Sequence, residues 1–189
     1  MELDQDVRTA RFWHSLGFTG GGSAGGHKYS EQQCYIRALE IDDQCAPAWS
    51  NLGYVGGGNV SGQQCTKQQC YSKVLEIDDQ DTVAWSNLGC IGGGSVDGQQ
   101  YTEQQCYIKA LEIDDQDADA WSNLGFTGGG NVSGQRYTAQ QCYIKALEAD
   151  VMFSDAWHSL GLAGGGSMGG QRYTQQQCFD RRDELKEVC

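Results

Sequence analysis

The chain is short of positive charge. Lysine and arginine together number 13 against 25 aspartates and glutamates, a formal charge of -12. Binding to nucleic acid or to an anionic membrane relies on a basic patch, and here the cations are scattered without a dense cluster. DNA and RNA are therefore not expected as partners. Long apolar runs are missing too: none approaches the ~18–20 residues that cross a bilayer, so no membrane insertion is expected. The opening stretch, MELDQDVRTARFWHSL, is acidic and lacks the apolar centre of a secretory signal. Without export, the nine cysteines read as reduced thiols, and the Asn-Val-Ser triplets at Asn59 and Asn131 as idle sequons. An intracellular, cytoplasmic setting is expected, with an organelle interior left open.

What is present is a strict repeat. Tryptophan stands at Trp13, Trp49, Trp85, Trp121 and Trp157, each 36 residues from the last. Cys34, Cys70, Cys106, Cys142 and Cys178 form a second column, and Leu16, Leu52, Leu88, Leu124 and Leu160 a third. Gly17, Gly53, Gly89, Gly125 and Gly161 form a fourth. A fixed period of this size indicates a solenoid of identical supersecondary units.

Each unit carries two helical signals. In DADAWSNLGFT the residues Ala120, Trp121, Leu124 and Gly125 keep helical spacing. In YTEQQCYIKALEIDD, Thr102 followed by Gln105 is a capping box, and Tyr101 with Cys106 fits a hydrophobic staple. Ser30, Thr66, Thr138 and Thr174 repeat the cap. Tyr107, Ala110, Leu111 and Ile113 supply the buried stripe, and the acidic EIDDQD stretch ends the second helix. The fold expected is all-α: a right-handed α-solenoid of five helix–turn–helix repeats forming one array over residues 1–189. The approximate repeats are 10–45, 46–81, 82–117, 118–153 and 154–189. In the last, Asp180, Arg182 and Asp183 replace the interior apolar columns, as in a solvating cap helix. At the other end, Leu3, Val7 and Phe12 are placed to cover the first repeat.

AWSNLG followed by CYIKALEID resembles the tetratricopeptide repeat, and the resemblance covers essentially the whole chain. That family's unit is ~34 residues; the two extra residues here fall between the helices, a drift toward the Sel1-like variety. The family's late first-helix aromatic is replaced by Gly56, Gly92 and Gly128, and its proline after the second helix by Asp43, Asp79 or Asp115. The resemblance implies a non-enzymatic protein-interaction scaffold whose concave first-helix face binds an extended peptide or a partner helix. A stoichiometric subunit of a larger complex, docked by its convex face or ends, is the alternative.

Chemical readings of the remaining motifs fail on specific residues. GGGNVSGQ lacks the lysine of a Walker loop and lies between helices, not after a strand, so it reads as an ordered, lengthened corner. Val60, Val96, Val132 and Met168 anchor that corner. One cysteine per repeat cannot converge on a metal when equivalent helices lie ~8–10 Å apart, and there is no CxxC pair. No metal and no cofactor are expected. Cys65 replaces the staple tyrosine opposite Cys70, which makes those two a candidate redox pair. The DDQD turns lack the glycine and distal glutamate of an EF-hand. His14 and His158 occupy equivalent columns at opposite ends, so no triad forms.

The candidate site is a surface. Asn51, Asn87 and Asn123 resemble the family's asparagine ladder, whose amides offer donors and an acceptor to a peptide backbone. Ser50, Ser86 and Ser122 form the neighbouring column, and Phe18, Tyr54 and Phe126 are candidate apolar anchors. Two readings of the asparagines stand at this point: they bind a partner, or they bond only to adjacent helices.

Overall fold

The structure is a computed structural model and describes residues 9–188. It is mostly helical, with short antiparallel strand pairs. The chain divides into two compact units: residues up to Ala84 with Gly94–Gln100, and Trp85–Gly93 with Tyr101 onward. The first unit holds α1 (Ala10–Phe18), β1 (Gly21–Ala24), β2 (His27–Ser30), α2 (Glu31–Ile41), α3 (Ala46–Tyr54), β3 (Gly58–Val60), β4 (Gln63–Cys65) and α4 (Lys67–Ile77). Helix α5 (Thr82–Cys90) and strands β5 (Gly93–Val96) and β6 (Gln99–Thr102) have residues in both. The second unit continues with α6 (Glu103–Ile113), α7 (Ala118–Phe126), β7 (Gly129–Val132) and β8 (Gln135–Thr138). It closes with α8 (Ala139–Ala149), α9 (Ser154–Leu162), β9 (Gly166–Met168), β10 (Gln171–Tyr173) and α10 (Gln175–Val188). Leu3 and Val7 lie outside the described residues; Phe12 meets Trp13 edge to face, with ring centroids 5.5 Å apart.

The expectation of an all-α chain needs correction at the glycine corner, which is a β-hairpin. In the fourth repeat Gly129 pairs with Thr138 and Val132 with Gln135, leaving Ser133 and Gly134 as a two-residue turn. Both turn residues have positive φ, 50° and 83°, the requirement of a type I′ turn that matches strand twist. Ser61–Gly62 repeats the geometry, and there Asn59 Oδ1 accepts from the Gly62 amide at 2.9 Å. A helix-period reading passes over this segment because each strand is only three or four residues long. The valines keep their predicted anchoring role: Val60, Val96 and Val132 are buried.

The second helices begin on the predicted capping boxes. Thr138 Oγ1 accepts from the Gln141 amide at 3.3 Å, and Gln141 Oε1 accepts from the Thr138 amide at 2.9 Å. Their ends are set by aspartates in extended backbone; Asp114 Oδ1 accepts from the Gln116 amide at 2.9 Å, an Asx turn. Asp117 then caps α7 through the Ala120 amide, also at 2.9 Å. The acidic turns are thus occupied by ending one helix and starting the next.

Within each unit the helices of a repeat pack through the tryptophan, glycine, tyrosine and cysteine columns. Trp121 and Tyr137 meet at 4.8 Å and 64°, edge to face. The tyrosine before the cap therefore turns onto the tryptophan of its own repeat, and the cysteine expected as its staple partner fills the helix interface. The Tyr143 ring lies so close to Gly125 that an added Cβ would stand 2.6 Å from Cε1. The hairpins of the second, fourth and fifth repeats also pack on the second helix of the preceding repeat. Gln104 Nε2 donates to the Gly129 carbonyl at 2.6 Å, and Ile108 fills the space beside Gly130.

Gly128 and Gly129 provide a test of the hairpin. Both have positive φ, but a Cβ on Gly128 meets open space, whereas one on Gly129 collides with the Tyr137 carbonyl oxygen. Gly128→Ala is expected to lose about 1–3 kcal/mol from backbone strain alone. Gly129→Ala is expected to lose clearly more, since its collision is with backbone. Urea unfolding curves of the two variants measure the difference.

Candidate functional site

Each first helix is nine residues long in the repeats described, because the glycines after it take positive φ and the chain turns into the hairpin. Its last residue therefore falls at the same structural place every time. Phe18 is 75 % exposed, Tyr54 77 % and Phe126 83 %, although aromatic side chains usually contribute to the core. Leu162, 66 % exposed, and Cys90 complete the column. Leu162 and Cys90 were not among the predicted site residues. The signal was available: stepping 36 residues from Phe18 reaches both.

The polar columns beside these residues are half-buried and partly engaged. Asn51 Nδ2 lies 3.0 Å from His14 Nε2, linking α3 to α1. Asn123 Nδ2 donates to Cys90 Sγ at 3.8 Å, linking α7 to α5. These two asparagines bond adjacent first helices with one donor, and an amide retains further hydrogen-bonding capacity after that. Ser86 Oγ donates to Asp117 Oδ2 at 3.3 Å, which ties the serine column to the cap of the following helix. Asn87, Ser50 and Ser122 are half-buried at the equivalent places. Cys90 also takes a hydrogen bond from the Tyr107 hydroxyl at 3.6 Å. Burial, and then that bond, push the Tyr107 phenol above its ordinary value.

His14 faces Asn51 and Tyr35, the latter at 6.0 Å between ring centroids. Burial lowers its pKa, and acceptance from the Asn51 amide requires a neutral Nε2. His158 Nδ1 sits 2.8 Å from Arg182 Nη1. Arg182 bonds Asp183 and lies over the Phe179 ring, while Asp180 and Asp183 are exposed.

The cysteine column is a buried row of thiols. Cys34, Cys70, Cys106, Cys142 and Cys178 have no exposed surface. Burial raises all five, Cys70, Cys106 and Cys142 to about 12, so they stay protonated and unreactive. Cys65 is buried as well, and both it and Cys70 are free thiols. They are close enough for Cys65 to add to the effect of burial on Cys70. Among the described residues no three His, Cys, Asp or Glu side chains are grouped to hold a metal, and no helix is long and apolar enough to cross a membrane.

No family profile matches the chain, and no curated protein matches it significantly.

Two measurements probe this geometry. A histidine whose folded pKa lies below its unfolded value supports stability above about pH 6.5 and withdraws it as pH falls. The difference in stability between the native protein and His14→Gln should therefore shrink between pH 7 and pH 5, read from denaturant midpoints. Iodoacetamide applied to the folded protein should modify Cys90 and leave the five column cysteines untouched until denaturant is added. Peptide mapping by mass spectrometry identifies the labelled positions.

Proposed function

We propose that the chain is a tetratricopeptide-like α-solenoid serving as a non-enzymatic scaffold. Its first-helix face binds an extended peptide or a partner helix through apolar anchors. The observation that carries this reading is that the side chains ending the first helices are exposed in both units: Phe18 and Tyr54 in the first, Phe126 and Leu162 in the second, each at least 66 % exposed. Large apolar side chains recurring at one place on four of the five repeats have no role in the core and suit the anchor residues of a protein interface. The half-buried Asn51, Asn87 and Asn123 supply the polar complement, because each amide can bond a neighbouring helix and still meet a backbone group. The acidic balance favours a partner with a basic surface, since complementary charge speeds encounter.

The test begins with affinity purification from the native source and mass spectrometry to supply a partner. Its affinity should fall at least about tenfold when Phe18, Tyr54 and Phe126 are replaced together by serine, in line with losses of about 2 kcal/mol at an anchor residue. Replacing Asn51, Asn87 and Asn123 by alanine should weaken it further. Unchanged affinity in both variants, with the circular dichroism of the native protein retained, would remove the first-helix face as the docking surface.

A further inference from the structure

The second repeat departs from the others at three buried positions; one, Val74 in place of Ala38, Ala110 and Ala146, adds a little bulk, and the other two remove a large side chain. Cys65 stands where Tyr29, Tyr101, Tyr137 and Tyr173 stand elsewhere, and Ser72 where Ile36, Ile108 and Ile144 stand. The four tyrosines each meet the tryptophan of their repeat edge to face at 4.7–5.0 Å. Trp49 has no such ring. Its indole is otherwise held as in the fourth repeat, with Nε1 donating to the Asp43 carbonyl at 2.8 Å as Trp121 does to Asp115.

The missing groups leave space. In the fourth repeat the pocket between hairpin and helices, lined by Trp121, Val132, Tyr137 and Lys145, measures about 190 Å³. Its counterpart in the second repeat, lined by Trp49, Val60, Cys65 and Lys73, measures about 520 Å³. It also runs on past Ser72 to Ser95. The first repeat has a pocket of about 560 Å³, lined by Trp13, Ala24 and Tyr29, with Tyr29 in the ring position. Ser72, which lines the pocket of the second repeat, is only 7 % exposed.

We propose that this pocket binds a small monocyclic phenol, whose ring lies edge-on to Trp49 in the place tyrosine takes in the other repeats. Trp49 and Val60 supply the apolar walls, as expected of a small-molecule site. Ser72 and the Lys73–Glu76 pair supply the polar groups that select a ring carrying a hydroxyl. The fit is template-like, because the chain itself places a p-hydroxyphenyl ring on the corresponding tryptophan in four repeats.

The probe is p-cresol, which is the tyrosine side chain freed from the backbone. It is titrated into ¹⁵N-labelled protein while the tryptophan indole signals are followed. Saturable binding that moves the Trp49 signal is expected. Cys65→Tyr and Ser72→Ile, which restore the repeat's own residues, should each weaken it at least about tenfold by filling the space a ligand needs. 4-Methylcyclohexanol, similar in size but without a π face, should bind about two- to tenfold more weakly, the value of an edge-to-face contact. The proposal is overturned by absent saturation up to the solubility of p-cresol. It is equally overturned by undiminished binding in whichever of the two filled variants retains native circular dichroism, or by equal affinity for the saturated ring.

Discussion

The tryptophan of each repeat is the point on which the rest of the unit depends. In the first, third, fourth and fifth repeats its ring receives the edge of a hairpin tyrosine. In the second, fourth and fifth, its indole nitrogen bonds a carbonyl of the turn before the helix, at 2.8 Å each time. One side chain thus joins three segments: the first helix that carries it, the preceding acidic turn, and the hairpin that follows. An aromatic with a polar edge suits this place, because a buried ring contributes area while its N–H still finds an acceptor. Moving the tryptophan by one residue would break all three contacts, which accounts for the unvarying 36-residue step.

The hairpin alters how the repeat holds together. A plain corner would only connect two helices. The observed strand pair reaches back to the second helix of the preceding repeat through Gln32 to Gly57 and Gln104 to Gly129 at 2.6 Å, and also through Gln140 to Gly165. Glycine at those positions lets the strand backbone come close enough to accept the bond. The segment expected to be an ordered corner is therefore a structural clasp between repeats. Its function is indirect, because it sets where the first helix ends and so where Phe18, Tyr54 and Phe126 emerge.

Much of the candidate surface was legible as columns. The asparagines, serines and exposed aromatics follow from period and register alone, and Leu162 could have been added by the same arithmetic. What periodicity could not show was engagement. Asn51 is turned toward His14 and Asn123 toward Cys90, and no spacing rule distinguishes an amide that bonds a neighbour from one left free. The cysteines divide in the same way: Cys90 is exposed while Cys106 is fully buried, a matter of helix face and helix end.

By itself the sequence determined the number of repeats, the two helices in each, their capping boxes, the acidic ends of the second helices and the buried Tyr107, Ala110 and Leu111 of the stripe. These are local effects: a hydroxyl three residues before a glutamine, or an apolar step of three and four, acts within one turn of chain. Ile113, expected in that stripe, is only half-buried, and its counterpart Ile41 is exposed. Only the tertiary structure decided that the glycine run is a pair of strands, that tyrosine turns onto tryptophan, and that the second repeat holds an enlarged pocket. Those outcomes depend on which groups meet across the fold. A three-residue strand has no signature in the chain until its neighbours are in place, and the break in the tyrosine column at Cys65, visible in the sequence, becomes a vacant ring position only beside Trp49.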